Sequence, residues 1–250
     1  MSELATLDIQ GPIARLTLNR ADKRNALSQE LLDALHARVD ELARAPGAGV
    51  TVCVVKGAGP TFCAGMDLKA VLMEAGAPLR LLSSIAELTI KLRRLAPVTV
   101  ARVNGAAIGG GCGLVGVCDI SVTHPEAKLG YPEVDLGVCP AVVAPWLVLA
   151  VGAGRARRIL LQGGTMTGLR AHELGLVAHV VPIERLDSEV EAIVERIARA
   201  GGAALRATKA LLNELDGPDL EAMVRRGARL SAEVIDGPEA RERLGRLFSS

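Results

Sequence analysis

The sequence predicts an α/β fold built on a largely parallel sheet, and three observations carry that expectation. Short β-branched runs at residues 50–55, 98–103 and 120–123 have the length of buried strands. They alternate with stretches of helical spacing long enough to serve as the crossovers that parallel strands require. Half of the 250 residues are hydrophobic, yet the aromatics are only Phe62, Tyr131, Trp146 and Phe248, so Ala, Val, Leu and Ile must build the core.

Residues 4–10 and 13–19 alternate about Gly11-Pro12 and read as an N-terminal hairpin. A polar loop, 20–25, leads to a helix capped by Ser28, whose Leu31, Leu32, Leu35, Val39 and Leu42 share one face. The strand at 50–55 runs into a Gly/Pro loop, 57–65, and then into helical pattern through Leu95. The strand at 98–103 runs into Asn104-Gly105 and a glycine-rich turn, with helical pattern at 113–117 and a third strand at 120–123. Beyond Gly154 the chain reads as mainly helical, at 156–161, 189–200, 203–215 and 220–235, with one short strand near 177–181. The chain is expected to comprise a core, 1–195, and a helical C-terminal region, 196–250.

Composition excludes several functions. The 29 basic and 28 acidic residues are interleaved without a basic stripe, and few rings could stack on bases, which argues against a nucleic-acid partner. Residues 136–153 carry no charge, but Pro140 and Pro145 break the run and Gly152 and Gly154 close it. A buried helix is therefore expected there, not a membrane span. The first dozen residues carry acids and alternate like a strand, unlike a signal peptide. Cys53, Cys63, Cys112, Cys118 and Cys139 show no C-x-x-C spacing and read as reduced thiols of a cytoplasmic protein. The histidines, at 36, 124, 172 and 179, lack metal-ligand spacing, and no metal is expected.

Gly111, Gly113 and Gly116 match G-x-G-x-x-G, but six residues separate them from the preceding strand, so a dinucleotide site is disfavoured. Two loops after strands are more telling. The first is Phe62-Cys63-Ala64-Gly65-Met66-Asp67-Leu68-Lys69; the second is Asn104-Gly105-Ala106-Ala107-Ile108-Gly109-Gly110-Gly111. Each turns into a helix and offers free N–H groups where open sheets place ligands. Two ordinary turns would share this spacing; two N–H groups converging on one point would make an oxyanion hole.

These residues resemble the crotonase superfamily, the enoyl-CoA hydratase/isomerase family, along essentially the whole chain. Leu16 to Arg20 with Arg24-Asn25-Ala26-Leu27 is similar to its CoA-binding segment. The two glycine loops are similar to its oxyanion loops, the second followed by Cys118-Asp119-Ile120. Leu129-Gly130-Tyr131-Pro132-Glu133 with Leu136-Gly137 is similar to its acid–base segment. The resemblance implies a ββα spiral with C-terminal helices for trimerisation, as a homotrimer or dimer of trimers. It implies an acyl-CoA substrate, no cofactor beyond that CoA, an oxyanion hole from the N–H groups of Met66 and Gly110, and Glu133 as acid/base. Arg24, Ala26, Ala64, Asp67, Leu68, Lys69, Gly109, Tyr131 and Trp146 then fall along the CoA and acyl path, with Lys23, Arg24 and Lys69 as partners for CoA phosphates.

One position departs from the pattern. Hydratases of the family use two glutamates, and the first falls at Gly113. The resemblance therefore implies hydration or dehydration as the first reading, with Δ3,Δ2-enoyl-CoA isomerisation by Glu133 alone as its rival. A non-catalytic CoA-ester binder and a Rossmann oxidoreductase are the readings from other classes. Tyr131, Asp135 and Glu74 are the candidates for a second acid or base. Tyr131 would share a strand face with Glu133, and Asp135 reads better as a surface or capping residue. Phe62, Tyr131 and Trp146 are expected near the ligand, Trp146 in a helix walling the acyl pocket, and Phe248 in a tail that approaches the CoA site.

Overall fold

The computed structural model describes residues 3–44, 49–69 and 76–248, with side chains through Arg246. Strands β1 (Ala5–Gln10) and β2 (Ile13–Leu18) pair antiparallel about Gly11, whose φ of +56° suits the tight turn. Along β2, Ala14, Leu16 and Leu18 are buried and the residues between them less so, the period of two read from the sequence. Helix α1 (Gln29–Arg44) buries the five residues expected: Leu31, Leu32, Leu35, Val39 and Leu42. Next come β3 (Val52–Gly57), α2 (Ala77–Arg94), β4 (Val98–Arg102), β5 (Ala107–Ile108), α3 (Gly110–Val117), β6 (Ile120–Thr123) and β7 (Lys128–Gly130). Then follow α4 (Ala144–Val151), α5 (Ala153–Gln162), β8 (Thr165–Thr167), α6 (Gly168–Glu173) and β9 (His179–Val180). Four helices end the chain: α7 (Leu186–Ala198), α8 (Gly202–Leu215), α9 (Leu220–Asp236) and α10 (Pro238–Phe248).

The main sheet has the order β1-β2-β3-β4-β6-β9 and is parallel from β2 onward. A second sheet, β5-β7-β8, stands beside it. Each middle turn of the chain thus lays one strand in the large sheet, one in the small sheet, and then a helix. Isolated parallel bridges, Leu27 to Met66 and Cys63 to Ala107, carry the same winding into the first glycine loop. This is the expected spiral. The small sheet was not foreseen, because strands of two or three residues leave no readable alternation.

One face of the large sheet packs on a core running from Ala5 to Leu244. The other is covered by α7, whose Leu186, Val190 and Val194 meet Val52, Val54, Val100 and Val122. Strands covered on both faces read as unbroken apolar runs, which is why β3 and β4 were legible. The uncharged run 136–153 becomes helical only at Ala144, and among the described residues no helix is long and apolar enough to cross a membrane.

Helix α8 is fastened by an ion pair whose lysine, Lys209, is buried. Lys209 Nζ donates to Asp119 Oδ2 at 2.7 Å and to the Pro97 carbonyl at 2.9 Å. The same Oδ2 accepts from Thr99 N–H and Thr99 Oγ1 at 2.7 and 2.9 Å. Removing one member of such a pair strands the other charge. Asp119→Ala is expected to lower unfolding free energy by about 3 kcal/mol in urea titrations, with much of the loss recovered in Asp119→Ala/Lys209→Met.

Candidate active site

The first glycine loop is held from both sides. Leu27 N–H donates to the Gly65 carbonyl (2.8 Å), Asp67 N–H to the Leu27 carbonyl (3.0 Å) and Ala64 N–H to the Arg24 carbonyl (3.0 Å). On the far side Cys63 N–H donates to the Ala106 carbonyl and Ile108 N–H to the Cys63 carbonyl, both at 3.0 Å. Two side chains fix the arrangement. Asn25, fully buried at φ +53°, accepts from Arg20 N–H and donates to the carbonyls of Ala58, Thr61 and Phe62. Arg20 Nη1 reaches the Ala26 carbonyl at 3.0 Å and Asp67 Oδ2 at 2.8 Å. Asn25 is a structural pin that the sequence reading passed over; a buried Asn at positive φ leaves no mark in hydropathy.

The second loop lies against the first. A Cβ on Gly65 would stand 2.7 Å from the Ile108 carbonyl oxygen and 4.0 Å from Gly110 N, and one on Gly111 would stand 2.5 Å from the Cys63 carbonyl oxygen. Bare backbone is what allows the approach. Gly109 N–H is spent on the Gly130 carbonyl at 2.8 Å, and Cys112 Sγ accepts from Gly130 N–H at 3.2 Å, seating β5 on β7. Gly110 opens α3, so its N–H has no carbonyl one turn back. Among the described residues neither it nor Met66 N–H has an acceptor.

Glu133 lies in the turn after β7, before a single 3₁₀ turn, Val134–Leu136. Its carbonyl accepts from the N–H groups of Leu136 and Val138 at 3.0 and 2.8 Å, which fixes the turn. Its carboxylate presses on the second loop: a Cβ on Gly109 would lie 2.8 Å from Oε1. Oε2 is buried with no hydrogen-bond partner. Burial lifts the carboxyl from 4.5 to about 7; hydrogen bonding to its own backbone opposes the rise and the charge of Asp135 adds to it.

Glu133, Met66, Gly109 and Gly110 share one cavity with Ala64 and Leu68. Its remaining walls are mainly hydrocarbon, and Glu133 is the one carboxylate among the described lining residues. Gly113 does not line it. A Cβ there would lie 2.6 Å from Val143 Cγ1, so Val143 occupies the space a side chain at 113 would enter.

Other candidates fall elsewhere. Tyr131 and Glu133 do not share a strand, since β7 ends at Gly130. Tyr131 is instead a core residue, 1% exposed and outside the cavity lining, its phenol pushed well above 10 by burial. Trp146 is also 1% exposed, its Nε1 donates to Thr89 Oγ1 at 3.1 Å, and it is outside the lining of the Glu133 cavity. Phe62 is wholly in the core. None of these three rings lines the cavity, because large rings are the bulk an aliphatic core lacks. The Phe248 side chain and Glu74 lie outside the described residues. Asp135 is exposed and caps Gly164 N–H at 2.8 Å. Arg24, Lys23 and Lys69 are exposed, Ala26 is half-buried beside them, and Asp67 is committed to Arg20. The thiols of Cys53, Cys63 and Cys118 are pushed up to about 12 by burial, which makes them poor nucleophiles. Among the described residues no group of three His, Cys, Asp or Glu could hold a metal ion.

Spiral fold and glycine-loop cavity define the class: an enzyme of the crotonase superfamily. The chain belongs to the enoyl-CoA hydratase/isomerase family, which it matches over residues 8–245. It is 34% identical over 224 residues to the 2,3-dehydroadipyl-CoA hydratase of Escherichia coli, covering 89% of this chain and 86% of that protein. A crystal structure of an enoyl-CoA hydratase from Mycobacterium avium superposes with a TM-score of 0.88 at 31% identity, covering 100% of this chain and 97% of that one. An enoyl-CoA hydratase/isomerase from Mycobacterium paratuberculosis superposes with a TM-score of 0.89 at 26% identity, covering 98% and 99%.

Proposed function

We propose that the chain hydrates 2-enoyl-CoA thioesters, and runs the reverse dehydration, with Glu133 as its single acid/base. The observation that carries this reading is a carboxyl lifted to about 7 and pressed against Gly109, the one carboxylate among the described lining residues, next to an N–H group that has no acceptor among the described residues. The thioester oxygen would accept from Met66 N–H and Gly110 N–H, which stabilise negative charge as the double bond is polarised. Neutral Glu133 then gives its proton to C2 from one oxygen while the other takes a proton from the water that bonds to C3. The acid is regenerated and no electrons change hands, so the step draws on no cofactor beyond the CoA of the substrate. Arg24, Ala26, Asp67 and Lys69 mark the CoA side, Ala64, Leu68 and Gly109 the thioester, and the hydrocarbon walls the acyl chain.

Val143 over Gly113 favours a second reading, Δ3,Δ2 isomerisation, because one carboxylate suffices to move a proton between C2 and C4. The two separate by pH. Hydration through the neutral acid should fall about tenfold per pH unit above 7, whereas isomerisation needs the carboxylate and should rise through 7 to a plateau. Rates with trans-2-enoyl-CoA and cis-3-enoyl-CoA from pH 5.5 to 8.5 decide; turnover of 3-enoyl substrates alone would end the hydratase reading.

We further propose assembly as a homotrimer or dimer of trimers through region 196–250, in the cytoplasm. Leu211, Leu212 and Leu215 on α8 and Met223 and Leu230 on α9 are exposed apolar residues that association would cover. Light scattering behind a sizing column gives the mass that tests it.

A further inference from the structure

We propose that Val143 sets the depth of the acyl pocket and that the pocket selects uncharged aliphatic acyl groups; the proposal rests on the Glu133 cavity being the acyl site. Among the described residues the lining holds no cation, so a carboxylate at the far end of an acyl chain would be desolvated without a partner. The hydroxyl on the wall is already engaged: Ser231 Oγ donates to the Cys139 carbonyl at 2.6 Å and accepts from Ala141 N–H at 3.2 Å. The Cys139 thiol is raised by burial and stays neutral. Nothing on that side rewards a polar substituent.

Val143 is the thin point of the wall. It lines the cavity, is 3% exposed, and rests on the bare backbone of α3 so closely that a Cβ on Gly113 would meet its Cγ1 at 2.6 Å. One isopropyl group therefore stands between the cavity and Gly113 of α3, and trimming it to a methyl extends the pocket to Gly113. Conversely, a methyl added at 113 can be accommodated only by pushing Val143 into the cavity.

The test is calorimetric binding of saturated acyl-CoA thioesters from acetyl to octanoyl, with glutaryl- and adipyl-CoA as chains ending in carboxylates. Saturated thioesters read the pocket whether or not the enzyme hydrates or isomerises. In Val143→Ala the longest well-bound chain should lengthen by about two carbons, with a gain of about tenfold for that chain. In Gly113→Ala it should shorten, and Gly113→Ala/Val143→Ala should return toward the parent profile; thermal melts confirm that each variant is folded. The dicarboxylic thioesters should bind at least about tenfold more weakly than aliphatic chains of equal length. Superimposable chain-length profiles in all four proteins would overturn the role of Val143, and tighter binding of the dicarboxylic thioesters would overturn the selectivity. If no acyl-CoA bound more tightly than CoA itself, the acyl-site reading would fall with both.

Discussion

Glu133→Gln is expected to lower kcat by about 10²–10⁴-fold while leaving the KM for an enoyl-CoA within a few-fold. The amide keeps the shape of the side chain but cannot release and recover a proton, and Glu133 is the one carboxylate of the cavity among the described residues. The same substitution should also reveal the cost of holding the carboxyl there. Its folded pKa, about 7, lies above the ordinary 4.5, so between those values the unfolded chain ionises first. Stability contributed by the neutral form is full below pH 4.5 and is lost as pH rises through 7, to a total on the order of 3 kcal/mol. Glu133→Gln does not titrate, so urea titrations should find it more stable than the parent at pH 8, with the advantage shrinking toward pH 5. A CoA-ester binder without catalysis would show the second effect and not the first.

The parts of this arrangement that were legible in the sequence share a physical cause: periodic burial or backbone that only glycine can supply. The five buried residues of α1 and the apolar runs of β3, β4 and β6 declare themselves because each packs a face against the core. The two glycine loops were found because close approach removes side chains. Their convergence was not legible, since it depends on Asn25, on the Arg20–Asp67 pair and on one-residue bridges, none of which has a period. The rings misled for a related reason. In a chain with so few aromatics, proximity of Tyr131 to Glu133 in sequence suggested a shared site, but the turn at 131–133 sends one side chain to the core and the other to the cavity. Gly113 was noticed as a missing acid; that Val143 closes the gap, from thirty residues downstream, could be seen only in three dimensions.

Gly65→Ala should be nearly as damaging to turnover as loss of Glu133, without touching the carboxylate. Gly65 sits at φ +89°, where a side chain is strained, and its added methyl would stand 2.7 Å from the Ile108 carbonyl oxygen. Ile108 cannot yield freely, because its N–H is bonded to the Cys63 carbonyl and β5 is paired with β7. The first loop must therefore move away from the second, carrying Met66 N–H away from Gly110 N–H and, on the proposed mechanism, out of the oxyanion hole. Losing one such donor costs about 10²–10³ in kcat, and because charge on the thioester oxygen grows toward the transition state, kcat should fall more than the affinity for a saturated acyl-CoA. Gly152→Ala is the matching control. Gly152 has φ +79° with open space around its Cβ, and it lies between α4 and α5, so its alanine brings backbone strain without parting the loops. Both variants should lose stability in thermal melts, but only Gly65→Ala should lose turnover. Equal kcat in the two would show that strain, not the spacing of the two N–H groups, accounts for the effect, and would remove those groups from the mechanism.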